Sequence, residues 1–169
     1  MKLILLMALT LDGKIGRDGD HFPDWTGRSD KRIFARRSRE AGVVIMGSRT
    51  FDTLGQPLPG RKNVVMSRDP SRVSRPPDLV FTAEPPRAVV SMLAGEGYAE
   101  AILAGGARIN TLFATAGLVD EILVTVSPLV FGAGLSLFDA PLELRLEPLA
   151  VERPDPELVL LHYRVRGDR

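Results

Sequence analysis

Five short runs of almost wholly apolar residues, interleaved with stretches of helical spacing, constrain this chain more than any other feature. They fall at residues 2–9, 43–46, 62–66, 79–82 and 101–104. Apolar at successive rather than alternate positions, they read as strands covered on both faces, the pattern of a parallel sheet. The first helix is expected from near Ser29, an N-cap residue type with Asp30 in the first turn, to Gly42. Shorter helices are expected over 48–54 and 87–96. A fourth starts near Ala107, places Ile109, Leu112, Phe113 and Ala116 on one face, and ends at Gly117. Strands and helices in this succession imply right-handed parallel crossovers. Residues 120–127, 142–151 and 158–165 then read as strands without intervening helices, the last two flanking the turn-rich segment 152–157. The expected fold is α/β: a three-layer sandwich with a mixed, mostly parallel sheet of about eight strands, helices on both faces and a C-terminal antiparallel hairpin.

At 169 residues with 44% hydrophobic content, and with no repeat or linker, residues 1–169 are expected to form a single domain. Lys and Arg number 22 against 21 Asp and Glu, so no overall field draws nucleic acid or an anionic membrane. Arg36, Arg37 and Arg39 read as a solvated helix face. The absence of cysteine excludes disulfides and thiol chemistry. The apolar run Leu3 to Leu9 is too short to cross a bilayer and no cleavage site follows it, so a cytoplasmic protein is expected. Two histidines, His21 and His162, do not make a histidine-rich metal site. The Asp18-Gly19-Asp20 turn is followed by Pro23 where a calcium loop needs Gly, so no metal is expected. The P-loop, the G-x-G-x-x-G dinucleotide motif and the G-x-S-x-G elbow are all absent.

Two places remain where a strand empties into glycine and then a helix: Val43-Val-Ile-Met-Gly47-Ser48-Arg49-Thr50 and Ala101-Ile-Leu-Ala104-Gly105-Gly106-Ala107-Arg108. In a parallel sheet both lie at carboxyl ends of strands, where ligands bind, and both precede helix N-termini suited to phosphate. A pair suggests a dinucleotide, with Arg49, Arg68 and Arg108 nearby for its charge. The alternative, that glycine only turns the chain and the arginines are solvated, stays open from residue types alone.

Residues 46–65, Met-Gly-Ser-Arg-Thr-Phe-Asp-Thr-Leu-Gly-Gln-Pro-Leu-Pro-Gly-Arg-Lys-Asn-Val-Val, closely resemble the dihydrofolate reductase signature. The resemblance extends to Ala8, Leu11-Asp12-Gly-Lys-Ile15-Gly16, Trp25, Asp30, Phe34 and Gly105-Gly106. Residues 117–134 are also similar to the reductase domain of riboflavin biosynthesis, which shares the fold. The resemblance implies an NADPH-dependent oxidoreductase that reduces the pterin ring of dihydrofolate to tetrahydrofolate. The alternative it implies is a riboflavin-pathway reductase acting on 5-amino-6-(5-phosphoribosylamino)uracil or its diamino analogue.

By the same resemblance, Asp30, Thr125 and Trp25 form the catalytic group, with Asp30 gripping the amino and ring-nitrogen edge of the pterin and Thr125 supporting it. Ala8, Phe34 and Arg61 join Asp30 and Thr125 in binding substrate, Arg61 through the folate α-carboxylate. Ala8, Ile15 and Gly16 line the nicotinamide and pterin pocket, under a loop from Gly16 to Trp25. Gly47, Ser48, Arg49 and Thr50, with Ala104, Gly105, Gly106, Ala107, Arg108 and Ile109, hold the dinucleotide, and Ser67 and Arg68 meet its 2′-phosphate. Ser48 and Gln56 stand where basic residues are frequent, Asp24 where proline precedes the tryptophan, and Asn110 where a tyrosine is frequent. Relatives often pair, and the apolar C-terminal strands offer the surface for a homodimer.

Overall fold

Side chains alternate between two apolar layers along the first strand, and this alternation builds the molecule. The computed structural model describes residues 1–19 and 23–167. Within β1 (Lys2–Thr10), Leu3 and Leu5 enter one buried cluster while Ile4 and Leu6 enter the other. The same division holds for Val43 and Ile45 against Val44 and Met46 in β3 (Val43–Gly47). Both faces are therefore hydrophobic, which is why these runs lack polar residues.

Three further strands, β4 (Lys62–Met66), β5 (Leu79–Thr82) and β6 (Glu100–Leu103), join them with β7 (Glu121–Ser127), β9 (Arg145–Asp155) and β10 (Leu158–Arg166) in an eight-stranded sheet of order β5-β4-β3-β6-β1-β7-β10-β9. The first six in that order pair in parallel. β10 runs antiparallel to β7 and to β9. Helices α1 (Gly27–Ala41) and α2 (Ser48–Leu54) contribute Ala41 and Phe51 to one cluster. Helices α3 (Pro86–Gly95) and α4 (Ala107–Thr115) contribute Leu93 and Phe113 to the other. Moving outward from β1 to β5 places helices on one face and the return to β7 places them on the other, as right-handed crossovers require. None of the described helices is long and apolar enough to cross a membrane.

The expected α/β sandwich is observed, with differences in detail. Helix α1 begins at Gly27, not near Ser29: a 3-10 turn, Asp24–Thr26, runs straight into it, Thr26 takes the cap position and Ser29 lies inside the helix. Its C-terminus is as expected, with Gly42 left-handed at φ 74°. The C-terminal hairpin forms, but β9 begins at Arg145 rather than at 142. It then continues through residues read as turn to Asp155, leaving only Pro156 and Glu157 between the strands. Pairing with β10 overrides the local turn signals. Pro148 and Pro154 are tolerated because β9 is an edge strand and both sit beside breaks in its register. A second sheet, β2 (Lys14–Gly16) with β8 (Leu135–Ser136), was not expected.

Candidate active site

The carboxyl ends of the parallel strands form one edge, and the two glycine corners meet there. Gly47 N–H donates to the Gly105 carbonyl over 2.8 Å, and Ala104 N–H donates to the Ile45 carbonyl over 2.9 Å. Neither corner has room for a side chain. A Cβ on Gly47 would stand 2.9 Å from Ile109 Cγ1, and one on Gly105, whose φ is 86°, would stand 2.9 Å from Met7 Sδ. Gly105 and Gly106 are joined by a cis peptide bond. The Gly106 carbonyl opens α4 by accepting from Ile109 N–H and Asn110 N–H. Ser48, Thr50, Ala104, Ala107 and Ile109 are half-buried around the corners, while Arg49 and Arg108 are exposed.

Next along the edge lies β1, where Ala8 pairs in register with Thr125 of β7. Thr125 is fully buried, and its hydroxyl donates to Asp30 Oδ1 over 2.6 Å. Asp30 projects from the first turn of α1 and is 9% exposed, so its carboxylate is almost wholly screened from bulk water. Phe34, one helical turn further on, is half-buried against the same apolar cluster.

Arg61 lies apart from this edge, before the amino end of β4, yet it is only 5% exposed. Its guanidinium donates to the Pro59 carbonyl through Nε at 3.1 Å and Nη2 at 3.0 Å, and to Ser38 Oγ. Burial, then the nearby Arg39 charge, lowers its pKa. Among the described residues no carboxylate lies within ion-pair distance of it. Although it follows Pro59 and Gly60, Arg61 is not a solvated turn residue, because Ser38 on α1 draws the side chain inward. Asp30, Phe34 and Ser38 follow at four-residue intervals on one helix stripe, about 12 Å long at ~1.5 Å per residue.

Ile15 and Gly16 lie in β2, with Gly16 opposite Leu135 of β8. Asp12, for which the sequence suggested no role beyond its motif, anchors this region. It accepts from Thr10 Oγ1 at 2.6 Å and from the backbone N–H groups of Phe131 (3.1 Å) and Gly132 (2.8 Å). The Thr10 bond is the main reason its pKa is lowered. Trp25 meets Phe131 edge to face at 5.2 Å, and its buried Nε1 has no hydrogen-bond partner among the described residues. Of the loop expected over the ring, residues 20–22, His21 included, lie outside the described residues. At its near end, Gly19 packs so closely on Arg49 that a Cβ would stand 2.7 Å from Arg49 Nη1.

Ser67 and Arg68 follow β4, with Arg68 exposed. Ser67 N–H donates to the Thr82 carbonyl, and Ser67 Oγ accepts from Asp69 N–H at 3.2 Å. Arg72, unremarked in the sequence, grips Asp52 of α2 through both terminal nitrogens at 2.5 and 2.6 Å, lowering the Asp52 pKa. Asn110 is fully buried, its Nδ2 donating to the Leu137 carbonyl over 2.9 Å.

The family model described as dihydrofolate reductase matches residues 2–129. The chain is 41% identical over 70 residues to dihydrofolate reductase type 3 of Salmonella typhimurium, a match that spans 41% of either chain. It is 28% identical over 154 residues to the uncharacterised protein YyaP of Bacillus subtilis, covering 81% of this chain and 80% of that one. Among solved structures, RibD of Acinetobacter baumannii superposes with a TM-score of 0.83 at 18% identity, covering 98% of this chain and 58% of that one. Dihydrofolate reductase of Enterococcus faecalis, complexed with NADP(H), superposes with a TM-score of 0.69 at 20% identity, covering 98% and 97%. By the extent of the family match, this chain belongs to the dihydrofolate reductase family.

Proposed function

We propose that the protein is an NADPH-dependent reductase whose substrate is dihydrofolate. The observation that carries this reading is the buried Asp30–Thr125 pair, set beside Ala8 at the end of a row of strand termini. From Ser67 and Arg68 just after β4, the row passes Gly47 at the end of β3, Gly105 just after β6 and Ala8 on β1 to Thr125 on β7. That is about 19 Å at ~4.8 Å between strands, the scale of an extended dinucleotide. The close-packed glycine corners suit backbone approach by a phosphate. These features fit the cofactor. Ser67 and Arg68 take its 2′-phosphate, the corners with Ser48, Arg49, Thr50 and Arg108 its pyrophosphate, and Ala8, Ile15 and Gly16 its nicotinamide. When bound, it supplies the hydride.

The chain's own residues then bind, orient and exclude water. Asp30, held by Thr125, grips the amino and ring-nitrogen edge of the pterin and helps a proton reach the ring nitrogen. Phe34 packs on the ring, and Trp25 helps to keep water from it. Arg61, bonded to Ser38 some 12 Å further along α1 by helix rise, takes the carboxylate of the substrate's tail. A cation this buried, with only neutral acceptors around it among the described residues, suits a ligand anion.

The test is loss of reduced nicotinamide absorbance, measured side by side with dihydrofolate and with 5-amino-6-(5-phosphoribosylamino)uracil. Turnover is expected with dihydrofolate, falling on the order of tenfold or more in Asp30→Asn. Turnover with the pyrimidine alone would instead support the riboflavin-pathway reading, in which Arg61 faces a phosphate. Arg61→Ala should weaken folate binding by about 2 kcal/mol or more. We further propose a single domain over 1–169, a cytoplasmic location and a homodimer formed through the apolar side chains exposed on β9 and β10, Leu146, Leu149, Val151 and Val159. Light scattering at twice the chain mass supports the dimer, and one chain mass refutes it.

A further inference from the structure

Asp52 puts a negative charge beside the residues that take the cofactor's phosphates in the reading above. Gly47 and Met66 are partners in the parallel pair of β3 and β4, so Ser48 and Ser67 leave the sheet side by side. Asp52 follows Ser48 by one turn of α2, on the same face. Ser48, Arg49, Asp52 and Thr53 line a hollow of about 440 Å³. The exposed Arg49 and Arg68 bring two positive charges to this corner. Ser67 Oγ accepts from Asp69 N–H, which leaves its own hydrogen for another acceptor. Asp52 and Asp69 bring two negative charges, enough to offset both arginines.

Arg72 counters them. Its two terminal nitrogens hold the two oxygens of Asp52 at 2.5 and 2.6 Å, and its Nε lies 3.5 Å from Asp69 Oδ2. Fork-on-fork pairing of this kind engages both oxygens of the carboxylate at once. Arg72 is half-buried, with its guanidinium 5.7 Å from the centre of the Phe81 ring, a second contact that holds it in place. Exposed ion pairs add little to stability. The effect of this one on the local field is larger, because Arg72 gives the five side chains a positive balance that they lack without it. A phosphate monoester carries about −1.5 to −2 charges at pH 7, so that balance bears directly on its binding. We propose that Arg72 is a specificity-determining residue: by neutralising Asp52 and Asp69, it lets the corner after β4 favour a nucleotide with a 2′-phosphate over one without. This rests on the dinucleotide reading above and requires no contact between Arg72 and the cofactor.

Equilibrium binding of NADPH and of NADH gives the discrimination as a ratio, in which everything common to the two nucleotides cancels. Wild type is expected to favour NADPH. Arg72→Gln, which keeps the stem and a hydrogen-bond donor but not the charge, should reduce that preference roughly threefold, the order of one exposed charge interaction. Arg72→Lys, which keeps the charge but not the fork, should retain most of it. Asp52→Asn added to Arg72→Gln removes the uncovered acid and should restore the preference. If Arg72 only pinned its loop to α2, the lysine and glutamine variants would fall alike, and Asp52→Asn would restore nothing. Either of those results, or an unchanged ratio in Arg72→Gln, overturns the proposal. Wild type that binds the two nucleotides equally, or binds neither, instead overturns the cofactor reading itself and the proposal with it.

Discussion

Thr125→Val, combined with Asp30→Asn, tests whether the buried pair behaves as one unit. Valine keeps the shape and strand preference of threonine, so the change removes a hydroxyl and little else. That hydroxyl belongs to a fully buried side chain and reaches Asp30 Oδ1 over 2.6 Å. A hydrogen bond to an ionised group contributes about 1.5–3 kcal/mol, and a carboxylate left without it in a water-poor site keeps its desolvation cost. Taking ~2 kcal/mol, a chain of this size should lose about 4–8 °C in Tm. If Thr125 acts on turnover through Asp30, the same ~2 kcal/mol is roughly 30-fold in kcat/KM. The four proteins of the cycle, wild type, both single variants and the double variant, are compared by thermal unfolding and by NADPH oxidation with dihydrofolate. The cost of Thr125→Val should shrink by about 1 kcal/mol or more when Asp30 is already Asn. Costs that add within about 0.5 kcal/mol would refute the reasoning, because independent residues add and a working pair does not.

Other perturbations have equally definite outcomes. Glu121 is buried beneath Lys2 at 2.9 Å and His162 at 2.8 Å; burial raises its pKa, but these two partners prevail and the pKa ends below 4.5. Its stabilising contribution is therefore present above the unfolded value and lost as pH falls through the lower folded one. Glu121→Gln should flatten the acid limb of the urea-midpoint profile, and an unchanged limb would refute this. Gly47→Ala forces a Cβ against Ile109 and should destabilise the fold by about 1–3 kcal/mol. Gly95→Ala, with nothing within 4 Å of the new atom, should be neutral or stabilising in the same denaturation assay. Asp12→Ala releases the Phe131 and Gly132 N–H groups and should raise their hydrogen exchange, leaving that of Val44 and Ile102 in the core unchanged. Unaltered exchange at both loop amides would show that Asp12 anchors nothing.

The fold was readable where each element has its own local cause. Strands buried on both faces have uninterrupted apolar runs, and α2 occupies its expected 48–54 because Gly47 and Gly55 punctuate it on either side. The β2–β8 sheet has no such cause. Strands of three and two residues are shorter than any periodicity, and they exist only because Lys14 and Gly16 meet Ser136 and Leu135 across the fold. β9 goes further, since its two prolines and its run of exposed residues argue locally for a turn. The hydrogen bonds offered by β10 outweigh them, because an edge strand can turn a proline toward solvent or into a bulge.

The site divides along the same physical line. Asp30 and Thr125 are 95 residues apart, and no spacing rule joins them. Resemblance to a family named them together, whereas residue chemistry alone would have left Asp30 as a first-turn acid favouring the helix dipole. Arg61 is the converse case. After Pro59 and Gly60 it has the local appearance of a solvated turn residue, and only Ser38, brought over by α1, makes it a buried cation. Burial without a counterion among the described residues stabilises nothing by itself. The energetic sense of Arg61 therefore lies in an anion that arrives with a ligand, and its bond to Ser38, beyond Asp30 and Phe34 on the α1 stripe, sets how long that ligand must be.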